Sequence, residues 1–116
     1  MSRTGKAKGR LGQQEIRDRL LEEFPEFEPD DIKSTVMGDT GADIQLSPTA
    51  RKKLNLAIEV KRRKAVGKTF YDYMDQAKSH VKYGEDPVVF FRADRKPWLV
   101  LIDIDFFMEL LKSRKG

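Results

Sequence analysis

The segment Leu56–Lys61 places the strongest restriction on how this chain can fold. Apolar side chains alternate along it with Ala57, Glu59 and Lys61, and a period of two is typical of a β-strand. A strand this apolar is expected inside a sheet, where a charged side chain is costly unless it is paired or bound to a metal. The pattern therefore predicts a functional reason for Glu59 and Lys61.

A third charged residue, Asp43, lies sixteen residues before Glu59 on a second short predicted strand, Asp43–Leu46. If neighbouring strands bring Asp43 and Glu59 together, their two carboxylates can hold a divalent cation beside Lys61. The chain has no cysteine and one histidine, so oxygen ligands favour Mg²⁺ or Mn²⁺ over zinc. We expect Asp43 and Glu59 as metal ligands, with the Val60 carbonyl completing the shell.

Such a site suits the hydrolysis of a phosphodiester, because a bound cation neutralises the phosphate and activates a water molecule. The role of Lys61 stays open. It can orient the attacking water, deprotonate it after losing its own proton, or stabilise the pentacovalent phosphate. The alternative without catalysis is an ion pair between Glu59 and Lys61 on an exposed strand edge, with Asp43 as a turn residue.

The chain as a whole predicts a mixed α/β domain with the order helix, three strands, helix, two strands, helix. Two helices are predicted at 11–24 and 67–84, and Phe70, Tyr73 and Met74 form a buried stripe on the second. A last helix is capped by Asp103 or Asp105 and ends near Lys112. The predicted strands cover 32–37, 43–46, 55–62, 88–91 and 98–102, with a short helix after Ser47-Pro48. Together they predict one five-stranded sheet, with a parallel pair across the second helix. Residues 1–10 are expected to form a mobile basic arm and 11–113 a single domain.

Charge indicates a polyanionic partner. The net charge is only +4, but between residues 51 and 68 eight basic side chains stand against the single acid Glu59, which gives one face a positive field. No apolar run is long enough to cross a membrane, and the lack of cysteine is typical of a cytoplasmic protein. The residues expected to contact phosphates are Ser34, Arg51, Lys52, Lys53, Arg62, Arg63, Lys64 and Lys68, with Thr35 as an alternative to Ser34.

These residues carry a resemblance. Asp43 followed by Glu59-Val60-Lys61, between two helices, resembles the motif of the PD-(D/E)xK nuclease superfamily. The similarity extends over residues 9–111 and is greatest to a small phage-encoded branch near the archaeal-type Holliday-junction resolvases. It depends on three further stretches: 28–32, 43–48 and 96–101.

The resemblance implies a restriction-endonuclease-like fold and a Mg²⁺-dependent endonuclease that cuts branched DNA as a homodimer, in the cytoplasm of a host cell if phage-encoded. It also implies a catalytic role for Gln76 and a further metal ligand on the first helix, either Glu15 or one of its neighbours Gln13 and Gln14. The proline that names the motif is replaced by Ala42.

Two other functions remain open at this point. One is a less selective nuclease that acts in repair, in replication or in the degradation of DNA. The other is a nucleic-acid-binding module that keeps the fold without catalysis.

Overall fold

The computed structural model describes residues 5–35, 42–62 and 65–114, with side chains from residue 9 onwards. The chain divides into two compact units, residues 1–64 with 111–116 and residues 65–110. Helices and strands are mixed, which confirms an α/β protein. The helices are α1 (Gly5–Glu23), α2 (Pro48–Lys53), α3 (Lys68–Ser79) and α4 (Ile104–Lys112), and the strands are β1 (Ile32–Ser34), β2 (Ile44–Leu46), β3 (Val89–Phe91) and β4 (Leu99–Leu101).

The first unit has a continuous apolar core. Strands β1 and β2 pair antiparallel, with Ile32 opposite Leu46. Both side chains are buried, together with Leu20 of α1 and Leu54 just after α2. Each large apolar side chain removed from water in this way stabilises the fold by roughly 1.5–3 kcal/mol, so this core holds β2 and its neighbours in place.

Helix α2 begins where the sequence predicts it. Ser47 is its N-cap and accepts a hydrogen bond from the Ala50 N–H, while Pro48 occupies the first turn. The Ser47 hydroxyl also donates to Asp31 Oδ1 over 2.6 Å. That bond and one from the Glu28 N–H lower the pKa of Asp31. The turn before β1 and the start of α2 are therefore joined by one polar network.

The second unit contains α3, the β3–β4 hairpin and most of α4. Helix α4 begins after Asp103, whose carboxylate accepts from the Phe106 N–H at 3.1 Å, so of the two predicted caps, Asp103 and Asp105, Asp103 makes this bond. The stripe predicted to be buried on α3 is only partly so, because Met74 is buried while Phe70 and Tyr73 are exposed. A two-stranded hairpin offers this helix too little surface to cover a stripe of that width.

The predicted five-stranded sheet does not appear among the described residues. They pair as two separate two-stranded antiparallel sheets, β1–β2 and β3–β4, and no parallel pair is formed within them. The predicted third strand, 55–62, is reduced to one antiparallel bridge between Ile44 and Ile58. Asn55, at its start, has a φ of 45°, so extended backbone can begin only after this residue.

Other boundaries differ from the predictions by a few residues. Helix α1 begins at Gly5, within the segment predicted as a basic arm. The predicted turn at 38–41 and the end of the first strand lie outside the described residues. In the ranges that the structure describes, no helix has the length and apolar character needed to span a membrane.

Candidate active site

Asp43 forms hydrogen bonds with both neighbours of Glu59 in the chain. The Asp43 N–H donates to the Ile58 carbonyl at 2.9 Å, and the Asp43 Oδ2 atom accepts from the Val60 N–H at 2.7 Å. Since Ile58 and Val60 flank Glu59 in the chain, Asp43 is brought to the segment that carries the second carboxylate. A bond from an N–H to a carboxylate is among the stronger hydrogen bonds in proteins, so this contact fixes the Asp43 side chain.

The segment at Thr35 is also hydrogen-bonded to Ala42 and Asp43. The Thr35 N–H donates to the Asp43 carbonyl at 2.8 Å, and the Thr35 hydroxyl donates to the Ala42 carbonyl. Three segments therefore lie side by side: residue 35, residues 42–43 and residues 58–60. Regular strand pairing adjoins residue 35, which follows β1, and residues 42–43, which precede β2. The Thr35 hydroxyl, offered as a phosphate ligand, is bonded to the backbone.

Glu59 and Lys61 are more exposed than their apolar surroundings predict. Their side chains are 62% and 70% accessible, and Lys61 Nζ lies 3.9 Å from Glu59 Oε2. The expectation that these charges are buried in a sheet is wrong for this structure, because the segment has only one bridge to its neighbour. An exposed ion pair of this kind contributes little to stability, and both groups can reach a ligand from solvent.

Helix α1 packs closely against the same segment through Gly12. A Cβ atom at Gly12 would lie 2.8 Å from the Arg62 Cβ and 3.3 Å from Val60 Cγ1, so only glycine permits this approach. Glu15, one turn later on the same face, is paired with Arg62 across 3.3 Å. Glu15, one of the three candidates on the first helix, therefore contacts this segment.

The donors near Asp43 match a hard cation in type. An ionised carboxylate has about four lone-pair positions, so the bond from Val60 leaves Asp43 able to accept a metal. Glu59 and the Val60 carbonyl would add oxygen donors, which suit Mg²⁺ and Mn²⁺. Among the described residues, however, no group of three or more His, Cys, Asp or Glu side chains is arranged to hold a metal, and Glu15 is engaged with Arg62.

Three of the predicted phosphate contacts, Arg51, Lys52 and Lys53, lie on α2. Arg51 and Lys52 lie exposed on α2, although one Arg51 nitrogen also donates to the Leu46 carbonyl at 3.2 Å. Lys53 instead donates to the carbonyls of Lys112, at 3.1 Å, and Arg114. Arg51 and Lys52 are therefore the cations on α2 that are best placed to contact a polyanion.

The remaining predicted contacts are more varied. Ser34 is half-buried at the end of β1, and Arg62 is exposed beside Glu15. Lys68 begins α3 and Gln76 lies on the same helix, both in the second unit. Arg63 and Lys64 lie outside the described residues.

Sequence reasoning missed Gly12. Glycine inside a helix costs up to about 1 kcal/mol relative to alanine, and a glycine at such a position often marks a close approach. That signal is present in the middle of α1, but the sequence does not say which segment comes near. The structure identifies the neighbour as Val60 and Arg62.

Comparisons of the chain with protein-family models, with curated proteins and with solved structures each find no match.

Proposed function

We propose that this protein is a metal-dependent DNA endonuclease that hydrolyses phosphodiester bonds. The observation that carries the proposal is the attachment of Asp43 to Ile58 and Val60, the two neighbours of Glu59. The proposal includes a functional state in which residues 55–62 form a regular strand of a larger sheet, because their alternation is that of a strand.

Each residue has a defined task in this proposal. Asp43 and Glu59 hold the cation through carboxylate oxygens, with the Val60 carbonyl as a third donor. When bound, Mg²⁺ or Mn²⁺ neutralises charge on the phosphate and activates water. Lys61 lies beside Glu59 and acts on the attacking water or on the negative charge of the phosphate. Arg51 and Lys52 hold the DNA backbone without reading its sequence.

The preferred substrate is branched DNA, and the active form is a homodimer. Resolution of a four-way junction requires two cuts in opposed strands, and one chain carries one such site. A twofold-symmetric dimer supplies two equivalent sites. This preference follows from the resemblance to junction resolvases.

The test is cleavage of a labelled four-way junction with Mg²⁺, compared with a flap and a linear duplex. Glu59→Gln should lower the cleavage rate at least ~100-fold, as expected when a group that stabilises the transition state is lost. The matched control is Glu26→Gln, at an exposed position in the turn after α1. Equal cleavage by wild type and Glu59→Gln would refute the proposed centre.

Substitutions of Lys61 separate its possible roles. Lys61→Ala should abolish most cleavage in every case. Lys61→Arg keeps the positive charge but cannot act as a base, since a guanidinium remains protonated. Recovery of activity in Lys61→Arg would assign charge stabilisation to this residue, and inactivity of both variants would assign it a proton-transfer or precise orienting role.

A second candidate function is nucleic-acid binding without catalysis. It is favoured by the 3.9 Å ion pair of Glu59 with Lys61 and by the lack of a three-residue metal group in the described ranges. It predicts salt-sensitive DNA binding with no Mg²⁺-dependent cleavage by the wild type. A less selective nuclease would instead cut junction and linear duplex equally well.

A further inference from the structure

The second unit contains a pocket of about 530 Å³ that the proposed hydrolytic centre does not use. It is open to solvent and is lined by residues of α3 and of the β3–β4 hairpin, among them consecutive residues from both faces of β3. A volume of this size falls within the range of small-molecule and cofactor sites, about 300–1,000 Å³. All of its lining residues belong to residues 65–110, so the pocket is a property of that unit alone.

Aromatic and cationic groups meet at this pocket. Trp98 and Arg92 both line it, and the Arg92 guanidinium carbon lies 5.2 Å from the centre of the Trp98 ring system. The hairpin register explains the contact, because Phe91 pairs with Leu99 and the next positions along the two strands are 92 and 98. A guanidinium over an indole is a cation–π pair, and it holds both groups at the pocket.

Two aromatic rings that line the pocket are largely exposed to solvent. Trp98 is 63% exposed and Phe90, which also lines the pocket, is 67% exposed. Aromatic side chains left in water beside a cation are typical of surfaces on which nucleic-acid bases stack. A separate aromatic pair, Phe70 with Phe91 at 5.2 Å between ring centres, supports the hairpin from within the unit.

The remaining lining groups determine which ligand fits. Tyr73, Gln76 and His80, which carry hydrogen-bonding groups, are among the residues that line the pocket. No acidic side chain occurs among the described residues that line the pocket, so an anionic ligand meets no opposing carboxylate there. A flat ring, a polar edge and a phosphate are the parts of a nucleotide.

We infer that this pocket binds an unpaired nucleotide of single-stranded DNA, with the base stacked near Trp98 and the phosphate near Arg92. The choice of DNA rests on the proposed function. A double helix keeps its bases stacked on one another, so their faces are withheld from the pocket, whereas a single strand or an open branch point presents them. The pocket would therefore give the protein a preference for DNA with unpaired positions.

The single tryptophan of the chain makes the inference measurable. Emission from Trp98 is followed while the full-length protein is titrated with oligothymidylate or with a blunt duplex of matched length. The buffer contains a chelator, so that no metal-dependent cleavage occurs. Oligothymidylate should quench the emission saturably and bind at least ~10-fold more tightly than the duplex, since stacking on one aromatic ring is worth about that factor or more.

Variants assign the binding to the pocket. Arg92→Ala and Trp98→Ala should each weaken oligothymidylate binding ~10-fold. Because Trp98→Ala removes the fluorophore, its binding is measured by the anisotropy of labelled DNA. The controls are Tyr71→Ala and Lys82→Ala, which remove an exposed ring and an exposed cation from the same unit outside the lining. Both controls should bind like the wild type.

Three results would overturn the inference. They are equal binding of duplex and single strand, equal losses in Arg92→Ala and Lys82→Ala, and Trp98 emission that changes with protein concentration alone as the protein dimerises. The last result would show that a second copy of the chain covers this face. Glu59→Gln should bind oligothymidylate like the wild type, so a failure of the hydrolytic centre and a failure of the pocket can be told apart.

Discussion

The two units of this protein bury their apolar side chains to very different extents. In the first, Leu20, Ile32, Ile44 and Leu54 are almost completely enclosed by α1, α2 and the β1–β2 pair. In the second, Met74 and Met108 are buried, but four hairpin side chains are more than half exposed: Phe90, Trp98, Leu99 and Val100. The first unit thus buries a continuous apolar core, and the second leaves apolar surface of its hairpin exposed.

The physical reason is the number of layers. A β-sheet has two faces, and α1 and α2 give the first unit more helical surface than α3 gives the short β3–β4 hairpin. Phe91 contacts Phe70 within the unit, whereas Phe90, on the other face of β3, is 67% exposed and lines the open pocket. The comparison shows that an apolar period predicts a strand but does not say what covers it.

The largest expected effect separates two leucines. Leu54 is fully buried in the first unit, and Leu99 is about half exposed in the second. Leu54→Ala should reduce the free energy of unfolding by about 2–5 kcal/mol because it leaves a cavity, whereas Leu99→Ala should cost less than about 1 kcal/mol. Urea unfolding followed by circular dichroism measures both. Equal losses would mean that the β3–β4 hairpin is covered in solution, and the contrast between the units would fail.

Two glycines in α1 provide a test of how closely this helix packs in the first unit. Gly9 has open space around it, whereas a Cβ atom at Gly12 would meet Arg62 and Val60. Gly9→Ala should stabilise the protein by up to about 1 kcal/mol through helix propensity. Gly12→Ala should instead destabilise it by about 1–3 kcal/mol through overpacking and lower any cleavage activity. Thermal unfolding of both variants measures the difference, and two equal stabilisations would refute the close approach of α1 to this segment.

The smallest effect concerns the polar network of Asp31 and Ser47. Ser47→Ala removes the cap of α2 and should cost about 1 kcal/mol. Because the pKa of Asp31 is lowered on folding, mainly by the Ser47 hydroxyl and then by the Glu28 N–H, its contribution is fully present above the unfolded pKa. It is lost as the pH falls from about 4 through the lower folded pKa.

The pH dependence supplies the control for this prediction. The difference in unfolding free energy between wild type and Ser47→Ala, measured in urea, should shrink between neutral pH and about pH 3. The second unit lacks Asp31 and its partners, so Leu99→Ala should show no such pH-dependent difference. A constant gap for Ser47→Ala would show that the hydroxyl acts only as a cap.

Much of the fold could be predicted where the signal is local. Ser47-Pro48 marked the start of α2, Asp103 or Asp105 marked the start of α4, and two apolar runs separated by a polar turn marked the β3 and β4 strands. The five-stranded sheet could not be read in the same way, because pairing depends on neighbours that the sequence does not name. The segment after Asn55 alternates as a strand does, yet its pairing is one bridge between Ile44 and Ile58.

The candidate site could likewise be predicted only in part from the sequence. Spacing and alternation indicated that Asp43 and Glu59 belong together, and the structure attaches Asp43 to Val60. The exposure of Glu59 and the approach of Gly12 were not predictable, since both follow from how segments pack in three dimensions. The pairing of Glu15 with Arg62 depends on the same approach of α1.

The most direct test of the central claim is the Mg²⁺-dependent cleavage rate of Asp43→Asn on a four-way junction. Asparagine keeps an oxygen that can accept the Val60 N–H but loses the negative charge needed for a cation. We predict a loss of at least ~100-fold in rate with only a small decrease in thermal stability, because the bond to the Val60 N–H becomes a neutral one, while Asp30→Asn, at an exposed carboxylate on the surface, cleaves like the wild type. Cleavage by Asp43→Asn at the wild-type rate would contradict a hydrolytic centre built on Asp43.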